Sequence, residues 1–332
     1  MSTNYISGRV RLARNLSGIP FPVKMTKDMA NDVISKVWDA FMSSALKDSV
    51  KLIKTDDTDT LTLTSLSEKH LVSPDFLECN LPRAVIISND EKISVMINEE
   101  DHIRIQVFAD GLSLSEAYET ADKIDTLLSE KLDIAFHEKF GFLTACPTNA
   151  GTGMRASFML HLPALTITNS ISSVLSWANK LGLAVRGVYG EGSRAKGAFY
   201  QLSNQITLGA TEDDIINRIN SAAKELSDKE EMVKAALYEN NKTKITDKCM
   251  RSLGLLTNAY VLSSEEAFSL SSDVLLGISL GIINTTDENS VVSALFDTLP
   301  ASLSLSNPDD ENTPTSRDIL RAKYMRENLL KH

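Results

Sequence analysis

Between residues 84 and 108 the chain carries three short apolar runs in close succession: AVIIS at 84–88, ISVMI at 93–97 and HIRIQVF at 102–108. The first two are separated by Asn89-Asp90-Glu91-Lys92, a turn-forming set, so a β-hairpin is expected there. In the third, Ile103, Ile105 and Val107 alternate with His102, Arg104 and Gln106, the period-two signature of a half-buried strand. The alternation returns at 155–162, with Arg155, Ser157, Met159 and His161 on one face and Ala156, Phe158, Leu160 and Leu162 on the other. Residues 183–188 and 198–207 read as further strands. Helical stripes cover 113–135 (Ala117, Ala121, Ile124, Leu127 and Leu128), 168–182 and the charged stretch 212–238. Beyond about residue 240 the strand signal fades into helical pieces at 245–256, 264–271 and 288–298. A polar linker follows over Ser306–Asn312, and then a charged helix from Ser316 to the end. The pattern predicts an α+β domain over 1–236 and an all-helical domain over 237–332, with no internal repeat.

A chain of 332 residues can bury a full core without staples. Its net charge of −10 argues against a dedicated nucleic-acid binder, which would show a basic balance or stripe. Cys79, Cys146 and Cys249 are odd in number and widely spaced, which supports neither a disulfide framework nor a zinc site. Reduced thiols suit the cytoplasm. The N-terminal segment MSTNYISGRVRLARN lacks an apolar signal core, and no apolar run is long enough for a membrane span.

Neither a Walker loop nor the usual protein-kinase signatures occur. The stretch Gly187-Val188-Tyr189-Gly190-Glu191-Gly192 is glycine-rich but lacks GxGxxG spacing. The arginines carry more information. Arg9 and Arg11 project from one face of a strand, Arg104 and Arg155 lie on the polar faces of alternating strands, and Arg186 ends another. Each alone reads as a solvated strand edge. Together they can converge on a polyanion, because planar guanidinium forks suit phosphate oxygens. Beside them stand Glu99, Glu100 and Asp101, and extending the strand backwards puts Glu100 on the face of His102 and Arg104. Alone this is an acidic loop; next to arginines it can handle a cationic acceptor and an anionic donor.

SGRVRLARN, NEEDHIRIQ, CPTNAGTGMRASFMLHLP and RGVYGEGSRAKG occur in the order found in phosphagen (guanidino) kinases. The resemblance covers residues 5–330, and in detail the chain is similar to the family's bacterial protein-arginine kinase branch. It implies an antiparallel, saddle-like sheet backed by helices. It makes Glu100 the catalytic carboxylate and Glu191 a second one. It assigns nucleotide contacts to Ser7, Gly8, Arg9, Val10 and Arg11, to His70 and Arg104, to Arg155, Ala156, Ser157, Phe158 and Met159, and to Arg186, Gly187, Val188, Tyr189, Gly190 and Glu191. Cys146 matches the family's reactive cysteine beside the active site. Two departures are visible: Gly8 stands where most relatives have serine, and Gln201 where creatine kinases have an aspartate near the nucleotide. In the small-molecule members a helical domain precedes the SxRxR segment, whereas here that segment begins at Ser7 and helical residues follow instead, which suits a protein substrate.

A guanidinium is a poor nucleophile because it is protonated, with a pKa above about 12. Two carboxylates can grip the planar cation and supply a base. The arginines would neutralise the phosphates, and magnesium would arrive with ATP, held by phosphate oxygens and water rather than by a dedicated protein site. Arg317-Asp318-Ile319-Leu320-Arg321-Ala322 resembles the RDxxRA motif of the bacterial branch, which implies an allosteric phosphoarginine pocket. Spacing alone puts Arg317 and Arg321 on one helix face. The resemblance also implies a stress-response role with a Clp-type protease, a small zinc-binding activator protein and a homodimer. The competing readings are a kinase for free arginine or another small guanidino compound, a non-catalytic phosphoarginine-binding adaptor and, weakest, a nucleic-acid module built on RVRLAR.

Overall fold

The computed structural model describes residues 4–78, 80–109, 111, 113–187, 196–308 and 311–329. Its strands are β1 (Tyr5–Arg14), β2 (Val50–Lys54), β3 (Ala84–Ser88), β4 (Ile93–Ile97), β5 (Ile103–Ala109), β6 (Phe136–His137), β7 (Gly141–Phe142), β8 (Met154–His161), β9 (Leu183–Gly187) and β10 (Phe199–Asn204). The helices are α1 (Lys27–Met42), α2 (Thr60–Glu68), α3 (Leu114–Ser129), α4 (Pro163–Ile167), α5 (Ile171–Lys180), α6 (Glu212–Asn258), α7 (Ser264–Ser279), α8 (Glu288–Asp297), α9 (Pro300–Ser306) and α10 (Pro314–Asn328). Eight strands form one sheet in the order β2-β3-β4-β5-β1-β8-β10-β9, while β6 and β7 form a separate ribbon. The β1–β5, β2–β3, β3–β4 and β4–β5 ladders are antiparallel. The fold is α+β.

The chain divides into two compact units, one of residues 7–158 and 203–221, the other of residues 1–6, 159–202 and 222–332. In the first, register decides which side chains meet. Arg9 opposes Phe108, Arg11 opposes Gln106 and Ala13 opposes Arg104, so these six share one face of the sheet. The intervening Val10, Leu12, Ile105 and Val107 are buried on the other face, with Leu114, Ala117, Ala121, Ile124 and Leu128 of α3 among the buried residues of this unit. Arg14, also on that face, makes a buried pair with Asp125 of α3 at 2.7 Å.

In the second unit, one core gathers Phe199, Cys249, Leu256, Phe268, Leu276, Leu295 and Met325 with their neighbours. His161 enters it neutral: its Nε2 lies 2.8 Å from Ser272 Oγ, and burial, with Lys234 nearby, holds its pKa at about 3. Helix α10 starts on a capping box, with Thr313 and Ser316 satisfying each other's backbone, and Pro314 stands in its first turn.

The hairpin and the alternating strands form where expected. Three helical expectations change in their bounds. The stretch 168–182 holds one helix, α5, trimmed to Ile171–Lys180, because Asn169 with its left-handed φ of 56° separates it from α4. The piece 245–256 lies in the part of α6 beyond the kink at Asn241, which separates it from the helix expected over 212–238. The piece 264–271 extends to Ser279, because Val274, Leu275 and Leu276 continue its buried face.

Candidate active site

The acidic segment is the turn between β4 and β5. Asn98 takes a left-handed φ of 62°, a conformation asparagine tolerates, and its N–H donates to His102 O at 3.0 Å, closing the turn. Asn98 Nδ2 donates to Ala30 O and Pro82 O, and Arg83 Nε donates to Asn98 O, so the turn is fixed from beneath. Glu99 and Glu100 then both reach Arg104: Nη1 lies 2.6 Å from Glu99 Oε2, and Nη2 lies 2.7 Å from Glu100 Oε2. The two carboxylates are not equivalent. The Glu99 side chain is 5% exposed and accepts from Ser73 Oγ at 2.8 Å, whereas the Glu100 side chain is 40% exposed. Glu99 therefore anchors the arginine, and Glu100 is the carboxylate that an incoming group can reach. Burial pushes the Glu100 carboxyl above its usual value, against the pull of Arg104.

His102 does not join this face. It is buried, its Nδ1 accepts from Leu16 N at 3.0 Å, and its Nε2 lies 2.9 Å from Pro20 O. The tight turn breaks the period-two extension that would have aligned it with Glu100. Asp101 is likewise occupied: its Oδ1 accepts from Asn15 Nδ2 at 2.6 Å and from Ala145 N at 2.7 Å. This ties the loop after β7 to the residue next to Glu100.

Arg11, Ala13, Glu100, Arg104, Asn149, Gly153 and Arg155 line one cleft. Arg11 is held well below the usual guanidinium range, first by burial and then by repulsion from Arg9, Arg104 and Arg155, against the pull of Glu99. Its Nε is buried with no hydrogen-bond partner among the described residues. A cluster of like charges around an unsatisfied buried donor fits a polyanion such as a nucleotide phosphate chain, because an anion both supplies the missing acceptor and removes the repulsion. His70, at φ 59°, belongs to the same neighbourhood; burial, Arg9 and Arg11 lower its pKa to about 4, so it stays neutral. Gln106 braces this side, with Nε2 donating to His70 O at 2.7 Å and Oε1 accepting from Arg9 Nη1 at 3.3 Å.

The loop 146–153 closes the cleft with glycines that nothing else can replace. At Gly153 (φ 63°) a Cβ would stand 2.7 Å from Ala13 O, and Ala13 N donates to Gly153 O at 2.9 Å. At Gly151 (φ 103°) a Cβ would stand 2.5 Å from Thr207 O. Asn149 and Gly153 were not singled out from the sequence, although the PTNAGTG run that carries them was. Glu99 and Ser73 were missed as anchors of Arg104, because adjacency alone does not tell a buried carboxylate from a reachable one.

The other expected positions fall as follows. Ser7 is half-buried on β1, and Val10 is buried. Gly8 is turned to the apolar side, where a Cβ would meet Leu114 Cδ2 at 3.2 Å and Phe158 Cε1 at 3.3 Å. Ala156, Ser157 and Phe158 are buried, and Arg155 Nε donates to Asn204 O at 3.4 Å. Cys146 is half-buried, its Sγ 3.0 Å from Thr148 Oγ1. In the other unit, Met159 packs on the core, Arg186 is exposed at the end of β9, and Gly187 and Gln201 are half-buried. Val188, Tyr189, Gly190 and Glu191 lie outside the described residues, as do Cys79 and the linker's Asp309 and Asp310. On α10, Arg321 is buried and donates to Leu262 O at 2.8 Å, to Thr298 O at 3.0 Å and to Asp318. Arg317 donates to Asn312 O and Oδ1, while Ile319 and Leu320 are half-buried and Ala322 is buried. Among the described residues no helix is long and apolar enough to cross a membrane.

Residues 32–233 match the family model of the ATP:guanido phosphotransferase C-terminal catalytic domain. The chain belongs to the ATP:guanido phosphotransferase family. Residues 242–332 match the protein-arginine kinase McsB C-terminal domain. The protein-arginine kinase of Halothermothrix orenii is 45% identical over 98% of this chain and 92% of its own length. That of Clostridium acetobutylicum is 43% identical over 98% and 95%. Among solved structures, lombricine kinase shares the fold with a TM-score of 0.63 at 22% identity, covering 71% of this chain and 68% of its own. The duplicated taurocyamine kinase from Schistosoma mansoni with bound transition state analog components aligns with a TM-score of 0.63 at 25% identity, over 80% of this chain and 38% of its own.

Proposed function

We infer that this ATP:guanido phosphotransferase transfers the terminal phosphoryl group of ATP to a guanidinium nitrogen of arginine side chains in proteins. The observation that carries the reading is the cleft itself: a reachable carboxylate, Glu100, faces an arginine cluster with a buried donor left open. Glu100 orients one nitrogen of the acceptor cation and accepts its proton as the N–P bond forms; its raised pKa makes it a better base than an ordinary glutamate. Arg104, pinned by Glu99, and Arg11 and Arg155 stabilise the charge on the transferred group, since phosphoryl transfer is chiefly positioning and electrostatics. By family resemblance the further nucleotide contacts are Ser7–Arg11, neutral His70, residues 155–159, Arg186 and Gly187, and also residues 188–191, which lie outside the described residues. By family resemblance Glu191, which lies outside the described residues, is the second clamp on the acceptor, and Cys146 is the reactive cysteine beside the active site. Magnesium, held by phosphate oxygens and water, would neutralise phosphate charge when the nucleotide binds.

The proposal divides the chain into a catalytic part, 1–236, and a regulatory and dimerising helical part, 237–332. In the latter, Arg317–Ala322 form the phosphoarginine pocket: Arg321 fixes its wall through three acceptors, and Arg317 supplies the charge that a ligand can reach. By family resemblance the setting is a cytoplasmic stress response in which a small zinc-binding protein activates a homodimer and a Clp-type protease takes the marked proteins. The test is incubation with ATP, magnesium and an unfolded arginine-rich protein, read by mass spectrometry for acid-labile phosphoarginine, beside free arginine as acceptor. Phosphoarginine in the protein is expected. Transfer to free arginine alone would make this a small-molecule kinase, and transfer to neither would leave the adaptor reading.

A further inference from the structure

The cleft has an apolar rim that the reaction does not use. The ribbon β6–β7 turns at 138–140, with Phe136 59% exposed and Phe140 45% exposed. Just past β10, Ile206 is 48% exposed and Leu208 53% exposed. Gly151 joins the two segments. On one side Phe142 N donates to Gly151 O at 2.9 Å, and a Cβ on Gly141 would stand 2.4 Å from that oxygen. On the other side a Cβ on Gly151 would stand 2.8 Å from Leu208 Cα, and Thr152 N donates to Thr207 O.

The ribbon is also firmly seated. Arg14 stacks 3.5 Å from the Phe142 ring centre, Phe136 meets Phe142 edge-on at 5.2 Å, and Leu143 N donates to Ala135 O at 3.0 Å. Its base is pinned beside Glu100, because Asn15 Nδ2 donates both to Leu143 O and to Asp101 Oδ1, and Asp101 also holds Ala145 N. Large apolar side chains left in water on a rigid frame, continuous with a site wall, mark a surface built to be covered.

What covers it follows from the acceptor. An arginine side chain spans about 7 Å, roughly two residues of extended backbone, so a polypeptide that delivers its guanidinium to Glu100 lays its neighbouring residues on the surface around the cleft, where loop 146–153 leads to these apolar side chains. We propose that Phe136, Phe140, Ile206 and Leu208 form a docking shelf for the apolar residues flanking the target arginine in an extended, unfolded segment of the substrate. The inference rests on the reading that the acceptor is protein-bound arginine, and it narrows that class. A folded protein buries its apolar residues and shows arginine among polar neighbours, whereas an unfolded segment offers both at once. The charged cleft takes the guanidinium and the shelf selects the context.

The test compares two peptides, each with one central arginine, one flanked by leucine and phenylalanine and the other by serine. Wild-type kcat/KM should favour the apolar-flanked peptide by about tenfold, the amount expected for covering part of two or three apolar side chains. In Phe140→Ser with Leu208→Ser the preference should fall to within about twofold of unity, with serine-peptide turnover and nucleotide Kd unchanged, and Phe140→Leu should retain it. If the double variant loses turnover on both peptides, each single serine variant decides by the same ratio. Equal wild-type rates on the two peptides, or a preference surviving in the serine variants, overturns the shelf and leaves arginine phosphorylation standing. Phosphorylation of free arginine but of neither peptide overturns the protein-acceptor reading and the shelf with it.

Discussion

The two faces of β1 treat arginine in opposite ways. Arg14 points to the buried side and is satisfied: Nε and Nη2 hold Asp125, Nη1 donates to the carbonyls of Ala13 and Thr152, and the plane stacks on Phe142. Arg11, three residues away on the other face, is crowded by Arg9, Arg104 and Arg155 and keeps a buried Nε without a partner among the described residues. The first arrangement is complete without a ligand. The second is complete only with an anion. Arg321 repeats the Arg14 pattern in the second unit, against two backbone carbonyls and Asp318. Between Arg14 and Arg11, satisfaction of the guanidinium, rather than its burial, separates the one that holds the fold from the one that serves chemistry.

That contrast can be broken by substitution. Arg14→Ala leaves the Asp125 carboxylate buried and unpaired, and should destabilise the protein by about 3–5 kcal/mol in denaturant unfolding. Arg11→Met should do the reverse. It removes a repelled charge, so the unfolding midpoint should hold or rise, while kcat/KM falls roughly 10²–10³-fold, the scale for losing one transition-state donor. Loss of stability in Arg11→Met with little loss of activity would reverse the assignment.

Protonation gives a second probe. His161 has a folded pKa of about 3 against an ordinary 6.5, so between these values the unfolded state binds the extra proton. The stability that His161 contributes is complete above pH 6.5 and is lost as pH falls toward 3. Melting temperature against pH should therefore drop less steeply on the acid side in His161→Gln than in the wild type. The difference isolates His161 from Glu230, whose carboxyl burial pushes up to about 6. In the cleft, the raised Glu100 pKa should set the acid limb of the kcat–pH profile above the ordinary glutamate range, because turnover needs the carboxylate. The smallest effect is expected at Ser73→Ala. It frees one oxygen of Glu99 and should lower kcat about fivefold, the scale of one ordinary hydrogen bond of about 1 kcal/mol, with nucleotide Kd barely moved.

Much of this was legible in the sequence, because period-two patterning reports which face of a strand is wet. Arg9, Arg11, Arg104 and Arg155 were grouped on that ground alone. The division of labour within Asn98–Asp101 was not legible. Four polar residues in a row look alike until a left-handed asparagine folds them into a turn, burying Glu99 and Asp101 and leaving Glu100 reachable. The same turn removed His102 from the expected face. Gly8 illustrates a related limit: the family resemblance implies a nucleotide contact there, while the crowding of Leu114 and Phe158 against it is a fact of packing. Helix bounds shift by a few residues near Asn169 and Asn241, where a single backbone conformation, not composition, sets the break.

The most direct measurement is Glu100→Gln, which keeps the shape of the side chain and removes the base. Nucleotide affinity is measured by titration, and phosphoarginine formation on an unfolded protein by mass spectrometry. Nucleotide Kd should stay within about twofold while turnover falls by roughly 10²–10⁴. Near-normal turnover in Glu100→Gln, or a loss explained wholly by weaker nucleotide binding, would contradict the account.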